Sequence, residues 1–211
     1  MQPEDLLILE DDERKKARER GCRISRGQLR PPSESARRAL VDLFGLDSDL
    51  CGQVDKYAAR FLTGGWLEEF LWGVIERHQD SLQVWNVRLG VEVARKGDSS
   101  GNDLDIAFIR NHGLAMVECK SGGQEHDPSG EILYKVEAVK RQFGAIRVQS
   151  ILATTSDKIL EQNGSLKTTF ENRADIYQCR ILSRAEIRRL GKEADSADEV
   201  RRILFDPVGQ A

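Results

Sequence analysis

A glutamate and a lysine stand two positions apart at the end of an apolar run, L-A-M-V-E-C-K over residues 114–120. An aspartate, Asp105, opens a similar run, D-I-A-F-I. Side chains alternate across a strand, so Glu118 and Lys120 share one face and Cys119 points to the other. If Asn111 and His112 are the central pair of a tight turn, Arg110 faces Gly113. Asp105 then faces Glu118, and Asp103 faces Lys120. Asn and His tolerate positive φ better than most residues, which allows that turn. A three-residue loop would set Asp105 opposite Cys119 instead.

Two carboxylates placed together repel unless positive charge lies between them. A hard divalent cation supplies it, and Mg²⁺ is commonly held by one or two carboxylates plus water and substrate phosphate. A lysine beside such an ion can orient or deprotonate an attacking water, or stabilise charge on a phosphorane. An exposed strand face with a cross-strand ion pair would use the same residue types. Two features favour the chemical reading. The strands are strongly apolar, and the helix before them carries an embedded carboxylate, Glu68.

These residues need elements to hold them. T-G-G-W-L-E-E-F-L-W-G-V-I-E-R-H places Trp66, Leu67, Phe70, Leu71, Val74 and Ile75 at helical spacing. S-L-Q-V-W-N-V-R-L-G-V-E-V alternates through Val87, Leu89, Val91 and Val93, which predicts a long strand bent at Gly90. The two runs around Asp105 and Glu118 come next as strands. Then come a helix over E-I-L-Y-K-V-E-A-V-K-R-Q-F, a buried strand in R-V-Q-S-I-L-A-T-T, a helix near 165–175, a short strand Q-C-R-I-L-S, and one or two terminal helices over S-R-A-E-I-R-R-L and S-A-D-E-V-R-R-I-L-F. Three consecutive strands favour hairpins. The later strand–helix–strand return favours a mixed α/β sheet of four to five strands with helices on its faces.

Upstream, residues 1–32 read as a charged extension or linker, either a basic arm for phosphates or a solvated segment, since acidic residues interleave. Residues 33–62 read as helical. The three tryptophans Trp66, Trp72 and Trp85 are expected in a core or an interface, His112 in a turn, and His126 in a solvated loop. With 32 Lys and Arg against 35 Asp and Glu, the net charge of −3 excludes attachment to nucleic acid by overall charge alone. The four cysteines lie apart, without C-x-x-C, and with three histidines they form no zinc spacing. No apolar run reaches membrane-spanning length and the N-terminus carries no signal pattern, so a cytoplasmic protein is expected.

In that order, G-G-W-L-E, N-D-L-D-I and V-E-C-K resemble the PD-(D/E)xK nuclease superfamily, and more closely the C-terminal nuclease domain of CRISPR ancillary nucleases activated by cyclic oligoadenylate. The resemblance covers about residues 60–155. It implies a restriction-endonuclease-like core over 63–183, with helices over 184–211, hydrolysing DNA or RNA with Mg²⁺ or Mn²⁺. It further implies that Asp105 and Glu118 are metal ligands, joined by the Cys119 backbone carbonyl. Lys120 would be the catalytic lysine and Glu68 an accessory carboxylate. Asp103 ranks below Asp105, and Lys135 is a candidate phosphate contact or a solvated helix lysine. A homodimer is the expectation for paired nuclease sites. The relatives carry a Rossmann-fold sensor before the nuclease, whereas about 60 residues precede Gly64 here and show no βαβ phosphate-binding pattern. Regulation is therefore expected from a partner or from an N-terminal dimer surface. A catalytically silent module of the same fold, serving nucleic-acid binding or assembly, is the alternative.

Overall fold

The computed structural model describes residues 61–93, 102–121, 131–144 and 146–206. The expected extension over 1–32, most of the helical segment over 33–62 and the loop carrying His126 lie outside the described residues. The chain divides into two units, Met1–Trp66 and Leu67–Ala211. Of the first, one irregular helical turn is described, Phe61–Gly65. The second holds the sheet.

Its elements run α1 (Trp66–Arg77, beginning on the last residue of the first unit), α2 (Gln79–Leu82), β1 (Val84–Val93), β2 (Asn102–Arg110), β3 (Gly113–Lys120), α3 (Glu131–Gln142), β4 (Val148–Thr154), α4 (Thr168–Ile176), β5 (Cys179–Leu182), α5 (Arg184–Lys192) and α6 (Ala197–Phe205). The strands form one five-stranded sheet in the order β1-β2-β3-β4-β5. The first three are antiparallel, and β3, β4 and β5 are parallel. The expected mixed sheet flanked by helices is the observed one.

The β2–β3 register arises from the turn chemistry. Asn111 and His112 both take positive φ, at 50° and 59°. Such a pair matches the twist of the flanking strands. It sets Arg110 opposite Gly113 and Ile106 opposite Val117, the pairing read from the sequence. Gly113 is required for space as well. A Cβ there would lie 2.7 Å from the Arg147 carbonyl, which accepts the Leu114 N–H at 2.9 Å and starts the β3–β4 ladder.

Strand β1 departs from simple alternation. Its register against β2 shifts between Trp85 and Arg88, and Asn86 takes φ 53°. A bulge of this kind inserts one unpaired residue and turns the following side chains to the other face. Val84 and Val87 are consequently both buried while Leu89 is exposed. Gly90 takes φ 66°, consistent with the expected bend. Trp85 is 53% exposed, so of the two expected placements, core or interface, it does not take the core one.

Helices cover both faces. Ala107 and Met116 join Leu133, Val136 and Val139 of α3 and Phe170 and Ala174 of α4 in one core. The next residue along β2, Phe108, points the other way and meets Phe205 of α6 edge-on at 6.3 Å. Within the same layer Phe70 of α1 approaches Gly191 of α5. Ser183 caps α5 in a reciprocal box with Glu186, and Glu186 also receives Arg180 at 2.6 Å.

Candidate active site

The sheet is built so that β3 ends differently on its two sides. Its pairing with β4 continues to Lys120↔Thr154. Its pairing with β2 stops at Ile106↔Val117. One residue further, the Asp105 carboxylate takes the place of a ladder partner. Its Oδ2 accepts the Cys119 N–H at 2.6 Å. The N–H and C=O of one strand residue point to the same neighbour, so the Cys119 carbonyl opens toward Asp105 as well. The Lys120 carbonyl faces the other way and accepts the Thr155 N–H at 3.1 Å.

Glu118 is 6% exposed, which is rare for a carboxylate unless it is paired. Lys120 supplies the pairing, with Nζ 2.7 Å from Glu118 Oε1. The helix before the sheet brings Glu68, half-buried in α1, within electrostatic reach of both Asp105 and Cys119. Asp103 is exposed on β2 opposite Glu92, and it lines a small cavity that Glu118 also lines. Asp105, Glu118, Lys120 and Glu68 are thus gathered at the C-terminal end of the parallel strands, and Asp103 lies at their edge. Lys135 lies on α3, and its side chain is outside the described residues.

The electrostatics reflect crowding of negative charge. Burial, and after it Glu118, push the Asp105 carboxyl up to about 6; Glu68 adds to the rise, while the Cys119 N–H and Lys120 oppose it. Burial alone would pull the Lys120 ammonium down. Its bond to Glu118 and the Asp105 charge outweigh that and hold it above its usual value. Burial, then Asp105, Glu68 and Glu118, push the Cys119 thiol up, so it is no nucleophile. Among the described residues no group of three or more His, Cys, Asp or Glu side chains is gathered closely enough to cage a metal by itself.

A family model described as Card1-like, endonuclease domain, matches residues 55–192, more than half of the chain. The chain belongs to this family. The Card1-like domain also has solved structural relatives. Can2 from Sulfobacillus thermosulfidooxidans, in complex with cyclic tetra-adenylate, matches with TM-score 0.58 and 18% identity over 82% of this chain and 44% of its own. Protein VC1899 from Vibrio cholerae matches with TM-score 0.64 and 20% identity over 93% of this chain and 51% of its own. The chain therefore spans about half the length of these structures, and at such identities they establish the fold. No curated protein sequence matches it.

The Card1-like domain carries its D…E-x-K pattern on the strand ends of a restriction-endonuclease-like core, a nuclease-type module. Sequence reasoning missed the segment directly after β4. Thr154, Ser156 and Lys158 line a small cavity together with Lys120, over a floor that includes Ile132 and Phe170. The signal was present as T-S-D-K at the end of a buried strand, but only the parallel register of β3 and β4 brings it beside Lys120. Among the described residues no helix is long and apolar enough to cross a membrane.

Proposed function

We propose that this chain is a metal-dependent endonuclease that hydrolyses phosphodiester bonds of DNA or RNA in the prokaryotic cytoplasm, as part of defence. The observation that carries this reading is the cluster itself. A buried Glu118 bonded to Lys120 lies beside an Asp105 carboxyl that burial and its neighbours push up to about 6. Such an excess of negative charge is what a divalent cation relieves.

The donor set fits Mg²⁺ or Mn²⁺. Hard oxygen donors from one or two carboxylates suffice when water and substrate phosphate complete the shell. Asp105, Glu118 and the Cys119 carbonyl would hold the ion, with Glu68 as an accessory carboxylate. When bound, a divalent ion supplies Lewis-acid charge at the phosphate and a more acidic water. Lys120, which Glu118 and Asp105 hold above its usual value in the metal-free chain, would orient or deprotonate the attacking water or donate hydrogen bonds to a developing oxyanion. Lys135 is assigned to phosphate contact on the resemblance alone.

The solved Can2 structure holds cyclic tetra-adenylate, and the match spans 44% of that chain. We extend to this chain control by an activator or sensor partner, and a homodimer as its working form. The test is incubation with single- and double-stranded DNA and RNA in Mg²⁺, Mn²⁺ or EDTA, with Asp105→Asn as the control. Metal-dependent cutting absent from the variant is the expected result. A folded protein that cuts no class of substrate, with or without cyclic tetra-adenylate, would favour the silent module instead.

A further inference from the structure

Strand β4 ends at Thr154, and the chain turns at once into a short helical turn, Asp157–Ile159. Two buried hydroxyls hold this turn. Thr154 Oγ1 accepts the Ser156 N–H at 3.1 Å, and Ser156 Oγ accepts the Lys158 N–H at 3.3 Å. Both residues are 4% exposed. A hydroxyl has one proton to give besides the lone pairs that accept. Each oxygen accepts one backbone N–H and keeps its O–H proton to donate, beside a second lone pair.

Thr154, Ser156, Lys120 and Lys158 line one small cavity of about 20 Å³, and its other lining residues are Ile132, Leu152, Ile159 and Phe170. The polar side chains of that lining are thus two ammonium groups and two hydroxyls. The acidic residue of the turn is drawn elsewhere, since Asp157 Oδ2 lies 2.6 Å from Arg184 Nη1. Lys158 is exposed and makes no ion pair among the described residues. A site whose polar groups are donors fits an anionic acceptor. Its volume of about 20 Å³ is on the scale of one water-sized atom. A single oxygen projecting from a larger anion fits that space.

We propose that Thr154, Ser156 and Lys158 form a subsite for a non-bridging phosphate oxygen of the substrate strand, next to Lys120. The proposal rests on the nuclease reading for the identity of the strand. It deepens that reading by naming the residues that grip the backbone. A phosphate contact carries no base information, so the subsite acts on all sequences alike.

The test is anisotropy with fluorescein-labelled oligonucleotides of single- and double-stranded DNA and RNA, in Ca²⁺ at several salt concentrations, for wild type, Lys158→Met and Lys158→Arg. The expected result for Lys158→Met is about tenfold weaker binding, the scale of one lost charge-assisted hydrogen bond. The log–log salt slope should fall by about 1. Lys158→Arg should restore most of both. Binding by Lys158→Met within about twofold of wild type, at an unchanged slope, would overturn the subsite. Failure of the wild type to bind any oligonucleotide would overturn it too. If Lys158→Met weakens binding as expected but wild type cuts nothing, the subsite stands and the catalytic reading fails.

Discussion

At the scale of residues, Asp105 is held under opposing demands. The Cys119 N–H favours its charged form, while burial and the Glu118 and Glu68 carboxylates disfavour it, and the second group prevails. Its folded value, about 6, lies above the ordinary aspartate value of 3.8. Between those values the folded chain binds more protons than the unfolded one, so stability falls as pH rises through that window. Thermal denaturation in EDTA should show this loss between about pH 4 and pH 6, and Asp105→Asn should flatten it. An equal slope in the variant would remove Asp105 as its source. The same proton competes with a cation, so Mn²⁺ affinity measured by calorimetry should climb up to about pH 6 and then level off. Lys120→Ala should lower the cleavage rate by at least about a hundredfold and leave Mn²⁺ binding largely intact. A rate within a few-fold of wild type would take the lysine out of the reaction.

At the scale of elements, turn and register hold these side chains at the sheet end. His112 takes φ 59°, a region that costs an L-residue and not glycine. His112→Gly should therefore raise stability in urea unfolding by up to about 1 kcal/mol. Gly113→Ala should lower it by roughly 1–3 kcal/mol, because the new Cβ presses on the Arg147 carbonyl. The reverse order would mean that the hairpin is not what sets the register. This hairpin was legible in the sequence because Asn-His is turn chemistry and the flanking runs are apolar. Helix α1 was legible for a similar reason, since Leu67, Leu71, Val74 and Ile75 keep one period and are buried. The bulge of β1 was not, because V-W-N-V-R-L-G-V reads equally well as an unbroken strand. Only the pairing with β2 shows that Val84 and Val87 lie on one side of the shift. The Glu118–Lys120 bond was half legible. Alternation gave the shared face, but only the depth of β3 in the sheet leaves Glu118 with a buried carboxylate beside the ammonium. The cavity behind Lys120 was hidden, since it joins residues separated by a whole βαβ crossover.

At the scale of the whole molecule, charge and topology pull in different directions. A net charge of −3 repels a polyanion at long range. The parallel strands nevertheless end together, with Lys120 bonded to Glu118 and Lys158 lining the cavity next to Lys120. Capture of nucleic acid should therefore depend on a divalent ion that offsets Asp105 and Glu118. Oligonucleotide binding should be at least about tenfold weaker in EDTA than in Ca²⁺, and equal affinity in both would mean that the strand is held away from the carboxylates. Control should be readable at the same scale. If the activator site belongs to a partner, calorimetry of this chain with cyclic tetra-adenylate should show no heat of binding, whereas saturable binding would place the sensor on this chain.

The most direct test of the central claim compares cleavage rates of wild type and Glu118→Gln in Mn²⁺ and in EDTA, with folding of both checked by circular dichroism. The substitution keeps the shape of the side chain and removes the charge that pairs with Lys120 and would hold the ion. Cutting by the wild type in Mn²⁺, lost both in EDTA and in the folded variant, is the predicted result. Equal cutting by wild type and variant, or cutting that persists in EDTA, would contradict the assignment of this strand end as the catalytic site.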